Sequence, residues 1–248
     1  MTDAGAPTHP STPITPIPVP GGAREVLLVG GLFDPPHRAH VELPAFARQR
    51  AAAHDAWLIF VPATASPLKP RGPRAPDTDR VAMLQRAIDG LDWAAIWTDE
   101  IDRAGPPAAD NAATPPEARA PSYWIDTLRR AREALGPGVA IRFIIGADQA
   151  AEFHRWRDPR GVLALARPLV LLRPPFSAPG ELIDAMRSAN FWNERDLAEW
   201  RAAIVENPLT PLSASAARRS IHSGDLQGAE RALQPQVLAY IRERGLYR

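Results

Sequence analysis

The chain contains no cysteine. That excludes disulfides, thiolate metal ligands and a cysteine nucleophile, and it accords with a reducing compartment. Net charge is also nearly absent, since 29 Lys and Arg against 28 Asp and Glu leave +1. No general attraction to nucleic acid or an anionic membrane follows, so any anion must be held by local arrangement. No apolar run reaches the roughly 20 residues that span a bilayer. The amino-terminal MTDAGAPTHPSTPITPIPVPGG lacks the basic start and apolar centre of a secretory signal. The expectation is a cytoplasmic protein that binds neither nucleic acid nor membrane. Whether it forms a homo-oligomer is not legible.

Proline, by contrast, is abundant. Prolines at 7, 10, 13, 16, 18 and 20 remove backbone donors and favour extended, solvated chain, so residues 1–22 are expected to be a disordered tail. The remainder, 23–248, is long enough and apolar enough to bury one core.

Within it, short apolar runs alternate with helical patterns. EVLLV (25–29), AWLIFV (56–61), IRFII (141–145) and PLVLL (168–172) read as strands, with AAIWT (94–98) weaker and AAIV (202–205) a short sixth. Runs apolar on both faces suit a parallel sheet covered on both sides. Helical patterns cover 38–53, 77–91, 122–135, 158–166, 213–224 and 234–245, with Asp77 or Thr78 as candidate caps of the second. This alternation predicts a doubly wound, Rossmann-like α/β fold with a helical C-terminal part. The Ala- and Pro-rich stretch from 104 to 121 reads as a surface loop, with 104–119 as an insertion.

Chemistry concentrates where the first strand ends, in VGGLFDPPHRAH (29–40). Gly30 and Gly31 let backbone amides approach an anion, and the helix that follows presents free N–H groups. His37 and His40, three residues apart, admit three readings: metal ligands, a structural pair, or donors to a polyphosphate. The first lacks a nearby third ligand; the glycines and helix start favour the last. Elsewhere, PLSASAARRSI (211–221) offers Ser213 as a helix cap, with Ser215 and Arg218 beside it, as a second anion site or a solvated helix. In FIIGADQ, Gly146 permits close approach, and Asp148 suits a ribose contact or an ordinary cap. Tyr123 and Trp156 can stack on a flat ring or fill the core. Lys69 can meet a phosphate or water.

GGLFDPPHRAH resembles the GG-(T/S)-F-D-P-x-H-x-G-H signature of the nucleotidylyltransferase superfamily, and more narrowly the bacterial nicotinate-nucleotide adenylyltransferases. FVPATASPLKP (60–70), APSYWIDTL (120–128), FIIGADQAAEFHRW (143–156) and PLSASAARRSI agree with that family in order, so the resemblance spans 25–248 apart from the loop. It implies transfer of AMP from ATP to nicotinate mononucleotide, giving deamido-NAD and pyrophosphate in NAD biosynthesis. It implies His40, His37 and Arg218 as catalytic groups. Gly30, Gly31, Leu32, Phe33, Gly146, Asp148, Ser213 and Ser215 join them around ATP, and Lys69, Tyr123, Trp124 and Trp156 surround the acceptor. Mg2+ would arrive on the ATP phosphates, without a protein ligand cage. Four letters depart from the pattern: Leu32 for a hydroxyl residue, Ala39 for glycine, Leu68 for histidine and Trp124 for threonine. They keep two alternatives open, an adenylyltransferase for nicotinamide mononucleotide or another phosphorylated acceptor, and a non-catalytic nucleotide-binding homologue.

Overall fold

The computed structural model describes residues 12–51, 55–65, 72–105 and 122–248. Six strands form one fully parallel sheet: β1 (Glu25–Gly31), β2 (Trp57–Pro62), β3 (Ala94–Ile96), β4 (Ala140–Gly146), β5 (Arg167–Leu171) and β6 (Ile204–Val205). Their order is β3-β2-β1-β4-β5-β6. The chain therefore winds outward from β1 in one direction, then restarts at β4 on its other side. The carboxyl ends of β1 and β4, Gly30–Gly31 and Gly146, flank that switch point, where a doubly wound sheet opens a crevice.

Alternation along β1 assigns the two layers. Val26 and Leu28 face one core cluster, Leu27 and Val29 the other, and all four are buried. The first layer holds α4 (Trp124–Leu135), α5 (Ala147–Ala151), α6 (Pro159–Leu165), α7 (Pro179–Ser188) and α8 (Glu194–Ala202). The second holds α1 (Arg38–Ala51), α2 (Asp77–Ala87), α9 (Ala214–Ser223), α10 (Leu226–Ala232) and α11 (Pro235–Arg244). A short helix, α3 (Asp99–Ala104), follows β3. Among the described residues no helix is long and apolar enough to cross a membrane.

The six strand and six helix expectations each meet an element, with shorter bounds at β3, β6 and α2. The capping of α2 differs: Pro76 occupies the cap position, and Asp77 lies inside the first turn with its carboxylate 2.5 Å from Arg80 Nη2. The predicted 104–119 loop lies almost entirely outside the described residues.

Residues 12–22 require a correction. They were expected to be disordered and solvated, yet Ile17 is buried in the core and Ile14 and Val19 pack beside it. Proline removes donors, but the carbonyls remain, and other elements use them. Trp97 Nε1 donates to the Thr15 carbonyl at 2.7 Å, and Arg130 donates to the Thr12 and Pro13 carbonyls. Thr15 N in turn donates to Asp99 Oδ1 at 3.0 Å. This strap braces the start of α3. Ile17→Ala should cost about 2 kcal/mol, read as a lower urea midpoint with an unchanged slope.

Candidate active site

The loop after β1 is built around Asp34, a buried carboxylate. Its Oδ2 accepts from Arg74 N at 2.8 Å, and its Oδ1 from Ala75 N at 3.1 Å and from the Tyr247 hydroxyl at 2.7 Å. Burial and Asp34 push the Tyr247 hydroxyl far above its ordinary range, so it stays a donor. Arg218 of α9 donates to the Asp34 carbonyl, lies 3.6 Å from Asp34 Oδ2, and reaches Ser215 Oγ at 3.1 Å. Arg80, fully buried, donates to the Leu32 carbonyl at 2.6 Å. Between these anchors Phe33 takes a left-handed φ of 49°, and its ring contacts His40 edge-on at 5.2 Å.

The two histidines meet in a way that the spacing alone did not give. Helix α1 begins at Arg38, so His37 stands just outside it rather than on its first turn. The rings stack at 3.6 Å between centroids, 20° from parallel. His37 N donates to His40 Nδ1 at 3.1 Å, so the neutral His40 ring carries its proton on Nε2. Burial, then the charge of Arg173, lowers the His37 pKa from 6.5 to about 4. At neutral pH His37 is an uncharged imidazole whose Nδ1 has no hydrogen-bond partner.

Arg173, just beyond β5, was missed from sequence. Its Nε lies 3.5 Å from Asp148 Oδ1, and it also acts on His37. Asp148 stands in the first turn of α5, with Gly146 as the cap; a Cβ on Gly146 would fall 2.6 Å from the Asp148 carboxylate. No local pattern marks Arg173, because its partners come from two other loops. The one available signal is a cation at the carboxyl end of a buried strand.

On the other side of Gly30 lies a cavity of about 160 Å³. Gly30, Gly31, Leu32, Tyr123, Trp124 and Trp156 all line it, which unites residues from both the expected ATP and acceptor sets. Trp124 forms part of its wall: a Cβ at Gly30 would sit 2.7 Å from the indole Cζ3. Trp156 leans on Phe153 at 4.6 Å, and the Arg157 guanidinium covers the Tyr123 ring at 4.7 Å. Glu100 of α3, also missed from sequence, lines the same cavity. Ser213 caps α9 by accepting from Ala216 N at 3.1 Å. Lys69 and Leu68 lie outside the described residues.

A crevice at the switch point of a parallel sheet, with basic and imidazole groups on one side and an aromatic cavity on the other, defines a nucleotide-handling α/β protein. The chain belongs to the cytidylyltransferase-like family, whose model matches residues 28–220, and within it to the nicotinate-nucleotide adenylyltransferases. It is 30% identical over 227 residues to a probable nicotinate-nucleotide adenylyltransferase of Chromobacterium violaceum, covering 88% of this chain and 96% of that one. It is 33% identical to the corresponding protein of Bordetella avium, covering 91% and 98%. The fold is also that of a solved Plasmodium falciparum nicotinic acid mononucleotide adenylyltransferase complexed with NaAD. There the TM-score is 0.63 at 15% identity, over 90% of this chain and 97% of that one.

His37 generates a prediction in which the sign matters. Its folded pKa is depressed, so its contribution is intact above pH 6.5, where both states are neutral. As pH falls from 6.5 toward 4 the unfolded chain protonates first and stability declines; below about 4 the loss levels off. The full loss is on the order of 3 kcal/mol. Urea titrations of wild type and His37→Asn should diverge across that window, and NMR should place the His37 titration near pH 4.

Proposed function

We propose that the protein transfers AMP from ATP to nicotinate mononucleotide, giving deamido-NAD and pyrophosphate, a step of NAD biosynthesis. The observation that carries this reading is the adjacency of two unlike half-sites across Gly30–Gly31. One is a basic and imidazole cluster suited to a polyphosphate. The other is an aromatic cavity suited to a pyridine ring. The relatives' names support the same reaction.

In that reaction a 5′-phosphate oxygen of the mononucleotide attacks the α-phosphorus of ATP. The bond to the β-phosphoryl oxygen breaks, and pyrophosphate leaves. The protein supplies alignment and charge stabilisation rather than a covalent partner. His40 Nε2–H, directed by the His37 amide on its Nδ1, donates to the α-phosphoryl oxygens. The neutral His37 ring offers a second nitrogen without introducing a buried cation before ATP arrives. Arg218 and Ser215 hold the β- and γ-phosphates, with the helix start at Ser213 beneath them. Asp148 and Gly146 meet the ribose, and Arg173 adds charge between ribose and phosphates. Leu32 belongs to the ring side, where an aliphatic side chain costs no phosphate contact.

Asp34 does not suit direct coordination of a cation, because its two oxygens already accept from two amides and a phenol beside Arg218. Mg2+ would instead be held through the phosphates of ATP, where it would neutralise their charge. Both substrates are cytoplasmic metabolites, in keeping with a cytoplasmic location.

His40→Ala should lower kcat by about 10²–10³, measured as pyrophosphate release from Mg-ATP with nicotinate mononucleotide. Folded wild-type protein that releases no pyrophosphate with nicotinate or nicotinamide mononucleotide overturns the reading.

A further inference from the structure

The cavity beside Gly30 is lined by three residues whose buried polar atoms have no hydrogen-bond partner among the described residues: Trp124 Nε1, Trp156 Nε1 and Glu100 Oε2. The two indole nitrogens can only donate. A carboxyl oxygen donates when it carries a proton and accepts when it does not. Leaving such atoms unpaired carries a desolvation cost, which a ligand with complementary groups removes.

Glu100 is held firmly for this. Only 2% of its surface is exposed. Its other oxygen, Oε1, accepts a short hydrogen bond from Thr127 Oγ1 of α4 and lies 3.7 Å from Arg103 Nη2. The strap and Arg130 brace the neighbouring Asp99, which fixes the first turn of α3. Oε1 is thus committed to the fold, while Oε2, with the Ser122 hydroxyl near the carboxyl, has no hydrogen-bond partner among the described residues.

Resting on the reaction proposed above, we propose that Glu100 selects the acceptor by its ring substituent, donating from Oε2 to a ring carboxylate when protonated and accepting from a ring amide when ionised. A nicotinate carboxylate can only accept, so it matches two indole N–H groups and a carboxylic acid. A nicotinamide amide carries two N–H donors that need an acceptor, and the carboxylate presents one at Oε2 where the acid presents its O–H.

The surroundings bias Glu100 toward the acid. Burial pushes its carboxyl above the ordinary range, and Asp99 adds to this, against the opposing pull of Thr127, Arg103 and Ser122. Among the described residues the other charges at the cavity are Arg155 and Arg157, exposed and already facing Glu152 and Asp126 respectively. They favour a carboxylate electrostatically but leave its recognition to the buried groups.

The test is the ratio of kcat/KM for nicotinate over nicotinamide mononucleotide, measured with Mg-ATP from pH 6 to 9. Both acceptors carry the same phosphate, so its titration cancels in the ratio. In wild type the ratio should fall by about tenfold or more as pH rises, the size of one charge-assisted hydrogen bond. Glu100→Gln retains a donor that cannot ionise, and its ratio should favour nicotinate without a pH trend. Glu100→Ala should show a reduced ratio, equally flat. A flat wild-type ratio, or a Glu100→Gln ratio that follows the wild-type trend, overturns the inference and leaves the reaction standing. Silence with both acceptors at every pH overturns the reaction and the inference together.

Discussion

The buried carboxylate of Asp34 is the constraint on which the rest of the site depends. A charge in that position survives only if every lone pair is met, and the donors come from far apart in the chain. Two are amides of the segment leading into α2, one is the hydroxyl of Tyr247, and Arg218 of α9 closes the set. The same contacts fix the loop that carries Phe33 and His37 and leads into α1, where His40 stands. Arg218 is thereby held against this loop by Asp34 and Ser215.

Gly30 and Gly31 divide what Asp34 organises. Any side chain at Gly30 would strike the Trp124 indole, and one at Gly31 would press on the Phe33 ring. Glycine is required here by the approach of two aromatic rings from opposite sides, not by a left-handed turn. The backbone becomes a thin partition between the phosphate side and the ring side. A dinucleotide product has to cross such a boundary, since its pyrophosphate joins unlike halves.

Much of the fold was legible because parallel strands buried on both faces read as unbroken apolar runs. The helices α3, α7, α8 and α10 went unread, being short or polar enough to lack a clear period. The glycines, histidines and tryptophans near the site stood out because their types are unusual at strand ends. Arg173 and Glu100 did not, since their roles arise from groups on other elements. The strap was misread for a physical reason. Prolines argued for solvation, but Ile14, Ile17 and Val19 lie among them, and an extended chain without donors still buries side chains and lends carbonyls.

The charge distribution follows one logic across both halves. His37 and Glu100, buried ionisable groups on the two sides of the glycine pair, are both driven toward their neutral forms by burial. The cations Arg155, Arg157 and Arg173 stay at the rim, each at least half exposed. Arg218, less exposed, is compensated by Asp34. An interior already charged would need counter-ions before substrate arrived, and displacing them would weaken binding. Where the buried charges are paired, as Asp34 is with Arg218, and the remaining groups lean neutral, the substrates supply the negative charge and the exposed arginines draw them in. Burial therefore does more here than exclude water: it shifts both inner groups toward the neutral forms that suit anionic substrates.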